Sequence, residues 1–307
     1  MEYAIQTSGL CKKYSGKFAV DHAEMHVPVG SIYGFVGENG SGKTTIMRLI
    51  MGLASPTQGD YALFGVGSKD SKIYSVRNKI SAIVEAPSLV PSMNAMDNLK
   101  YAMMYYGAKK SDDELRHILE TVGLQNTGGK NVKNFSLGMK QRLGIAVLLL
   151  NQPELLLLDE PMNGLDPHGI AELRELIIDL NRQGITILIS SHILSELEKV
   201  ATHWGFISHG QILQEISSEQ LQNTCKKHIE LKYPDYVKVR DALVKIGIKD
   251  FSYNELGQVK IYQSGINITD MLVGLRNLGV EIEDIRTNDF DIEQYYLSLI
   301  RGERSER

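Results

Sequence analysis

Residues Gly37-Glu38-Asn39-Gly40-Ser41-Gly42-Lys43-Thr44 follow the spacing G-x4-G-K-[ST]. Glycines at these places let successive backbone N–H groups curl around an anion without a side chain in the way. A lysine directly after them can reach the outer phosphates of a nucleoside triphosphate, and the Thr44 hydroxyl is an oxygen ligand suited to Mg2+. Thr45 extends the nucleotide-contacting set by one residue. A second feature lies far downstream, where Leu155-Leu156-Leu157-Leu158 runs into Asp159-Glu160. A carboxylate at a strand tip beside a phosphate loop can hold the metal, which is the place of Asp159. Glu160, the next residue, is placed to accept a proton from an attacking water. Another apolar run, Ile185 to Ile189, ends in Ser190-Ser191-His192. His192 is thereby set at the end of a neighbouring strand, within reach of a terminal phosphate. A strand-tip acid or a single histidine is ordinary alone; with the glycine loop they describe chemistry on a phosphate.

Positioning these groups requires strands that end together. Ser31 to Val36 is a short apolar run that opens into the glycine stretch, and Ile46, Leu49, Ile50 and Leu53 recur beyond it at helical spacing. Unbroken apolar runs of this length suit central parallel strands covered on both faces. Gly169 to Leu180 has the pattern of the crossover helix between two of them. The fold class read from these segments is α/β, with polar residues at the carboxyl ends of the strands, where such sheets bind ligands. Residues from about 88 to 142 contain two helical patterns, Asp97–Tyr106 and Asp112–Val122, and no strand-like run, so they read as a helical insertion. The nucleotide-binding domain is expected over residues 1–217. Residues 218–307 then show alternation at Ile229, Leu231 and Tyr233, a helix over Val237–Ile246, and alternation over Gln258–Tyr262. A helix over Ile268–Leu278 and alternation over Val280–Ile285 follow. This β-α-β-α-β order predicts a small α+β domain, with Arg301–Arg307 as a frayed polar end.

Composition narrows the class. Of 307 residues, 43% are hydrophobic and 23% charged, with 33 Lys+Arg against 37 Asp+Glu, a net charge of -4. These are values of an ordinary globular protein and exclude disordered, collagen-like and disulfide-scaffold chains. A spanning helix needs about 20 consecutive apolar residues; the longest run, Leu143 to Leu150, is closed by Asn151, Gln152, Pro153 and Glu154. Residues 1–30 lack the charged-then-apolar order of a secretory signal. Cys11 and Cys225 have no metal-ligand spacing and fit a reducing compartment. The slight acidity argues against bulk nucleic-acid binding.

Just ahead of the acidic strand, Phe135-Ser136-Leu137-Gly138-Met139-Lys140-Gln141-Arg142 resembles the signature motif of ATP-binding-cassette (ABC) proteins. The order of phosphate loop, helical insertion, signature, acidic strand and His192 is similar to that family's nucleotide-binding subunit. The resemblance implies a P-loop NTPase core with a helical subdomain, ATP and Mg2+ as cofactors, and hydrolysis coupled to transport. It implies that two subunits, as a homodimer, pair head to tail with ATP between them, each phosphate loop facing the partner's Ser136 and Gly138. It further assigns Tyr14 to adenine stacking and Asn163-Gly164-Leu165-Asp166 to communication across the dimer. A separate transmembrane permease is required, with this subunit cytoplasmic on the inner membrane face and touching the membrane only through that permease.

Two departures refine the resemblance. Leu137 and Met139 stand where the family has glycine and glutamine. Glu85, in Ile83-Val84-Glu85-Ala86-Pro87-Ser88, stands where the family has a glutamine linking magnesium and the attacking water to the membrane partner. A carboxylate there can still ligate the metal but brings a negative charge toward the phosphates, two consequences that oppose each other. Both departures are similar to the bacterial transporters that confer self-protection against lantibiotics and bacitracin-like peptides, which implies export of antimicrobial peptides. A general multidrug exporter or an importer would use the same engine. A soluble relative acting on ribosomes or DNA would carry two cassettes or a long coiled coil, and neither is visible here. For the C-terminal domain the readings are a regulatory or dimerising module, or a lid on the cassette.

Overall fold

The three apolar runs become adjacent strands in the computed structural model, which describes residues 2–225, 228–232, 236–253, 258–262, 265–280, 282–288 and 292–305. The chain divides into two units, residues 1–218 and 219–307. The first begins with β1 (Tyr3–Tyr14), β2 (Lys17–Ala23), β3 (His26–Pro28), β4 (Ile32–Val36), α1 (Lys43–Ile50), β5 (Gln58–Leu63), β6 (Val66–Gly67), α2 (Ile73–Arg77) and β7 (Ile80–Ile83). It continues with α3 (Ala95–Tyr106), α4 (Asp112–Thr121), α5 (Leu137–Leu149), β8 (Leu155–Asp159), α6 (Pro167–Arg182), β9 (Thr186–Ser191), α7 (Leu194–Leu197), β10 (His203–Ser208) and β11 (Gln211–Ser217). From Ser218 on come α8 (Ser218–Thr224), β12 (His228–Lys232), α9 (Tyr236–Lys245), β13 (Phe251–Tyr253), β14 (Gln258–Ile261), α10 (Ile268–Asn277), β15 (Asp284–Asn288) and α11 (Ile292–Ser305).

The central sheet has the order β11-β10-β4-β9-β8-β7. Its pairings are parallel except for the terminal β10–β11 hairpin. Every residue of β4, β8 and β9 is buried, which is why their runs are mostly apolar instead of alternating, with polar residues confined to the ends of β8 and β9. A second, antiparallel sheet of order β2-β1-β5-β6, with β3 also on β1, was not foreseen, because its strands mix buried and exposed positions irregularly. One apolar cluster joins both sheets to α1 through Leu10, Phe35, Ile46, Leu49, Leu63 and Leu157.

The helices end where local chemistry dictates. Asn94 caps α3 by accepting from the Asp97 N–H, and Gly107 closes it with a left-handed φ of 66°. Ser111 and Glu114 form a reciprocal capping box on α4. Asp166 caps α6, with Pro167 at its first turn. Leu53, counted with α1 on periodicity, lies beyond the helix end and is 71% exposed.

The second unit carries an antiparallel sheet of order β13-β14-β12-β15. With α9 and α10 this is the β-α-β-β-α-β arrangement known from ferredoxin-like folds. Leu231, Val239, Leu243, Val259, Met271 and Leu275 form its core. The three-residue β13 is too short for alternation to reveal. Val280 and Ile282 join or pack on this core, but the last strand begins only at Asp284, correcting the expected Val280–Ile285. Tyr233 lies outside the described residues. The expected frayed end is helical through Ser305, with residues 306 and 307 outside the described set. Among the described residues no helix is long and apolar enough to cross a membrane.

The strand that carries the glycine loop is tied sideways through one phenol. Buried Tyr33 donates to Glu215 Oε1 at 2.6 Å, and the same carboxylate accepts from the His26 backbone N–H at 2.7 Å. Burial first, then the charge and hydrogen bond of Glu215, raise the Tyr33 pKa well above its ordinary value. The folded state holds this proton more tightly than the unfolded chain, so the contribution is complete below about pH 10 and is lost as pH rises from there toward the folded value. Tyr33→Phe should therefore cost about 1–2 kcal/mol at neutral pH. In urea unfolding the variant should also lose less stability than the parent above about pH 10; parallel alkaline losses in the two proteins would contradict this role.

Candidate active site

Val36 ends β4 in the core, and the chain must then turn sharply to start α1. Gly40 and Gly42 take left-handed φ values of 83° and 113°. Space is as tight as conformation: a Cβ on Gly37 would lie 2.5 Å from Ser41 Oγ, and one on Gly42 2.5 Å from the Ala19 carbonyl oxygen. The loop is thus a backbone cradle with Glu38, Asn39 and Gly40 at its exposed tip. No side chain caps the first turn of α1, and no acidic residue lies in that turn. Its N–H groups and the positive end of the helix remain available to an anion. The buried Ser41 Oγ has no hydrogen-bond partner, an orphan of the sort a phosphate oxygen satisfies. Lys43 is only 5% exposed and folds back to donate to the carbonyls of Gly37 at 2.5 Å and Glu38 at 3.2 Å.

The tips of β8 and β9 meet this loop. Thr44 Oγ1 donates to Asp159 Oδ2 at 2.6 Å, and Ser190 Oγ donates to Asp159 Oδ1 at 2.5 Å. The Ser190 hydroxyl accepts in turn from the Glu160 N–H at 2.9 Å. Glu160 has a φ of 50°, in the left-handed region that non-glycine residues seldom enter. His192 Nδ1 lies 2.8 Å from its Oε2. Lys43 Nζ lies 3.5 Å from its Oε1, which is buried and lacks a hydrogen-bond partner. One carboxylate oxygen is oriented by the histidine and the other remains able to accept a proton. Thr44 and Asp159 offer hard oxygen donors, the set that suits Mg2+.

The other sequence candidates are placed differently. Glu85 follows β7 with a φ of 73° and pairs with Arg48 on α1. Tyr14 ends β1, is 47% exposed, and has Lys12 Nζ 5.1 Å from its ring centroid. Ser136 caps α5, accepting from the Met139 N–H at 3.2 Å. Gly138, one residue into that helix, has room for a Cβ 3.5 Å from the Gly169 Cα of α6. Among the described residues no hydrogen bond joins Ser136 to the phosphate loop. A single copy therefore brings together Lys43, Thr44, Asp159, Glu160 and His192, with Ser136 and Gly138 engaged elsewhere.

Two contributors were absent from the sequence reading, Ser190 and Arg48. Ser190 had a usable signal. Once β8 and β9 are neighbours with their runs in step, Asp159 is level with Ser190, as the register confirms. Arg48 had none, because its partner is fixed only by the tertiary fold.

A family model described as "ABC transporter" matches residues 20–163. The chain is 40% identical over 308 residues to the bacitracin transport ATP-binding protein BcrA of Bacillus licheniformis, covering 98% of this chain and 99% of that one. It is 43% identical over 221 residues to the lantibiotic transport ATP-binding protein SrtF of Streptococcus pyogenes, covering 71% and 93%. Among solved structures, a dimeric post-hydrolysis state of an ATP-binding cassette bound to ADP and Pi is similar in fold. Its TM-score is 0.61 at 22% identity, over 70% of this chain and 98% of that one.

Ser190→Ala removes a donor to Asp159 and an acceptor for the Glu160 N–H. By analogy with outer-shell partners of metal sites, it should weaken Mg2+-dependent nucleotide binding about tenfold. Ser191→Ala, whose hydroxyl accepts instead from the Ile193 N–H, should leave that affinity within about twofold, an ordinary peripheral effect. Equal effects from the two serines would remove Ser190 from the site.

Proposed function

Because the chain belongs to the ABC transporter family of ATP-binding proteins, we propose that it is the ATPase subunit powering export of lantibiotic- or bacitracin-type peptides through a separate permease. The observation that carries the catalytic reading is the convergence of Lys43, Thr44, Asp159, Glu160 and His192 on the glycine loop. The peptide class rests on likeness to the bacitracin transport protein along nearly the whole chain, second unit included. We assign residues 1–217 to the nucleotide-binding domain and residues 218–307 to an accessory domain, either a contact between subunits or a lid.

The chemistry follows from groups already in place. Triphosphate entering the cradle satisfies the free N–H groups of α1 and the Ser41 hydroxyl, and draws Lys43 from its carbonyl partners to the outer phosphates. Thr44 and Asp159 would hold Mg2+, which would supply neutralising charge to the phosphate oxygens. Glu160, oriented by His192, accepts the proton of the attacking water through Oε1, the oxygen Lys43 leaves as it moves to the phosphates. Tyr14 gives the adenine a flat surface at the end of β1. A second copy, head to tail, brings its own Ser136 and Gly138 with the positive end of α5 to the exposed side of the triphosphate. Closing on ATP and opening after hydrolysis is the stroke delivered to the permease, with the subunit held at the cytoplasmic face by that contact.

A docking place for the permease lies in the first unit. A cavity of about 490 Å3 is lined by Met51, Leu53, Val84, Pro87, Tyr101 and Tyr105, among others. Tyr105 is 83% exposed and Met104, its neighbour on α3, 80%. Apolar surface of this kind beside a cleft marks an interaction site, here suited to an apolar cytoplasmic helix of the membrane subunit.

Two results are expected. Glu160→Gln should lower turnover by about a thousandfold, since it removes general-base help, while ATP binding and ATP-dependent pairing persist; undiminished turnover would take the proton-accepting role from Glu160. Tyr105→Glu should abolish copurification of the membrane subunit while ATPase activity of the isolated chain stays within about twofold, the ordinary range for an exposed substitution. Retained copurification would place the docking surface elsewhere.

A further inference from the structure

Glu85, expected near the metal from the family resemblance, is a third carboxylate beside Asp159 and Glu160, and the incoming ligand is itself strongly anionic. A glutamine at this position would add no charge. Arg48 meets that charge: its guanidinium pairs with Glu85 Oε1. The geometry makes the pairing specific to this site. Arg48 follows Thr44 by four residues on α1, so both side chains occupy one face of the helix, about 6 Å apart. Thr44 is the residue that bonds Asp159. Arg48 also lies in the last turn of α1, where a cation is favoured by the helix dipole. From the other side, the left-handed backbone of Glu85 at the exit of β7 turns the chain so that its carboxylate meets α1.

We propose that Arg48 is a positioning residue, the counter-ion that permits a glutamate at position 85. It holds the Glu85 carboxylate on α1 when nucleotide is absent and offsets its charge when triphosphate enters. This resolves the opposition between metal binding and phosphate repulsion, because the carboxylate stays available as an oxygen ligand while its field is neutralised. Chain neighbours of the pair line the docking cavity: Met51 and Leu53, just beyond α1, and Val84 and Ala86, flanking Glu85. As a stability element the pair is minor, since its side chains are 42% and 68% exposed. Its consequence is on anion binding.

The proposal rests on the site being an ATP site, and the test separates the two. ATP binding to the full chain is measured by calorimetry in excess EDTA for the parent, Arg48→Ala, Arg48→Lys, Glu85→Gln and the Arg48→Ala/Glu85→Gln double variant. Removing the arginine should weaken metal-free ATP binding about three- to tenfold, the effect of one uncompensated charge near a polyanion in a partly solvated site. The lysine variant should stay close to the parent. Glu85→Gln should bind metal-free ATP at least as tightly as the parent, and the double variant should return to parental affinity, because it restores the net charge of the parent pair. In turnover assays with Mg2+, Arg48→Ala should raise KM with little change in kcat. A parent that binds no ATP overturns the nucleotide reading and this proposal with it. If the parent binds, an unaffected Arg48→Ala, or a double variant as weak as Arg48→Ala alone, overturns this proposal only.

Discussion

The Asp159 carboxylate, only 5% exposed at the tip of a fully buried strand, is the constraint on which the rest of the site depends. A buried charge has to be hydrogen-bonded or paired to be tolerated. Here Thr44 takes one oxygen and Ser190 the other. Those two bonds lock the start of α1 to β8 and β8 to β9, and so fix the phosphate cradle over the strand ends. Ser190 passes the constraint on by accepting from the Glu160 N–H, which sets the backbone from which the Glu160 side chain reaches His192. Sequence, register and chemistry meet at one pair of oxygens.

The same economy of charge explains the periphery. Lys43 is satisfied by loop carbonyls and lies near Glu160, so its ammonium group is held close to the phosphate cradle. Glu85 is the added negative charge, and the structure gives it a cation from the same helix face as Thr44. The result is a site whose carboxylates each have an identified partner before any ligand binds, with the buried Ser41 hydroxyl and the uncapped first turn of α1 left for the ligand itself.

How much of this was legible depended on the kind of signal. The strands β4, β8 and β9 are continuously apolar apart from the ends of β8 and β9, because both faces are covered, and such runs are hard to misread. Helices with side-chain caps, such as Asn94 on α3 and Ser111 on α4, were placed to within a residue or two. The antiparallel sheet built on β1 was missed because its burial pattern is irregular, with register shifts in the β1 ladders interrupting any clean alternation. Val280 and Ile282 read as strand because alternation reports burial and not hydrogen bonding. At the site, the loop and strand-tip residues were legible because each stands beside its own structural cue. Arg48 was not, since its pairing with Glu85 joins residues 37 positions apart through a loop whose left-handed turn at a non-glycine residue no sequence pattern announces.

What remains outside a single copy is the pair Ser136 and Gly138, which occupy the start of α5 and are engaged with their own helix and α6. We propose that one chain holds half of each working site and that a second copy completes it. The most direct measurement is the specific ATPase activity of the isolated chain as a function of its own concentration, with sedimentation in ATP over the same range. Activity per chain should rise with concentration and level off as ATP-bound dimer accumulates. Constant specific activity from a chain that sediments as a monomer with ATP bound would contradict the account.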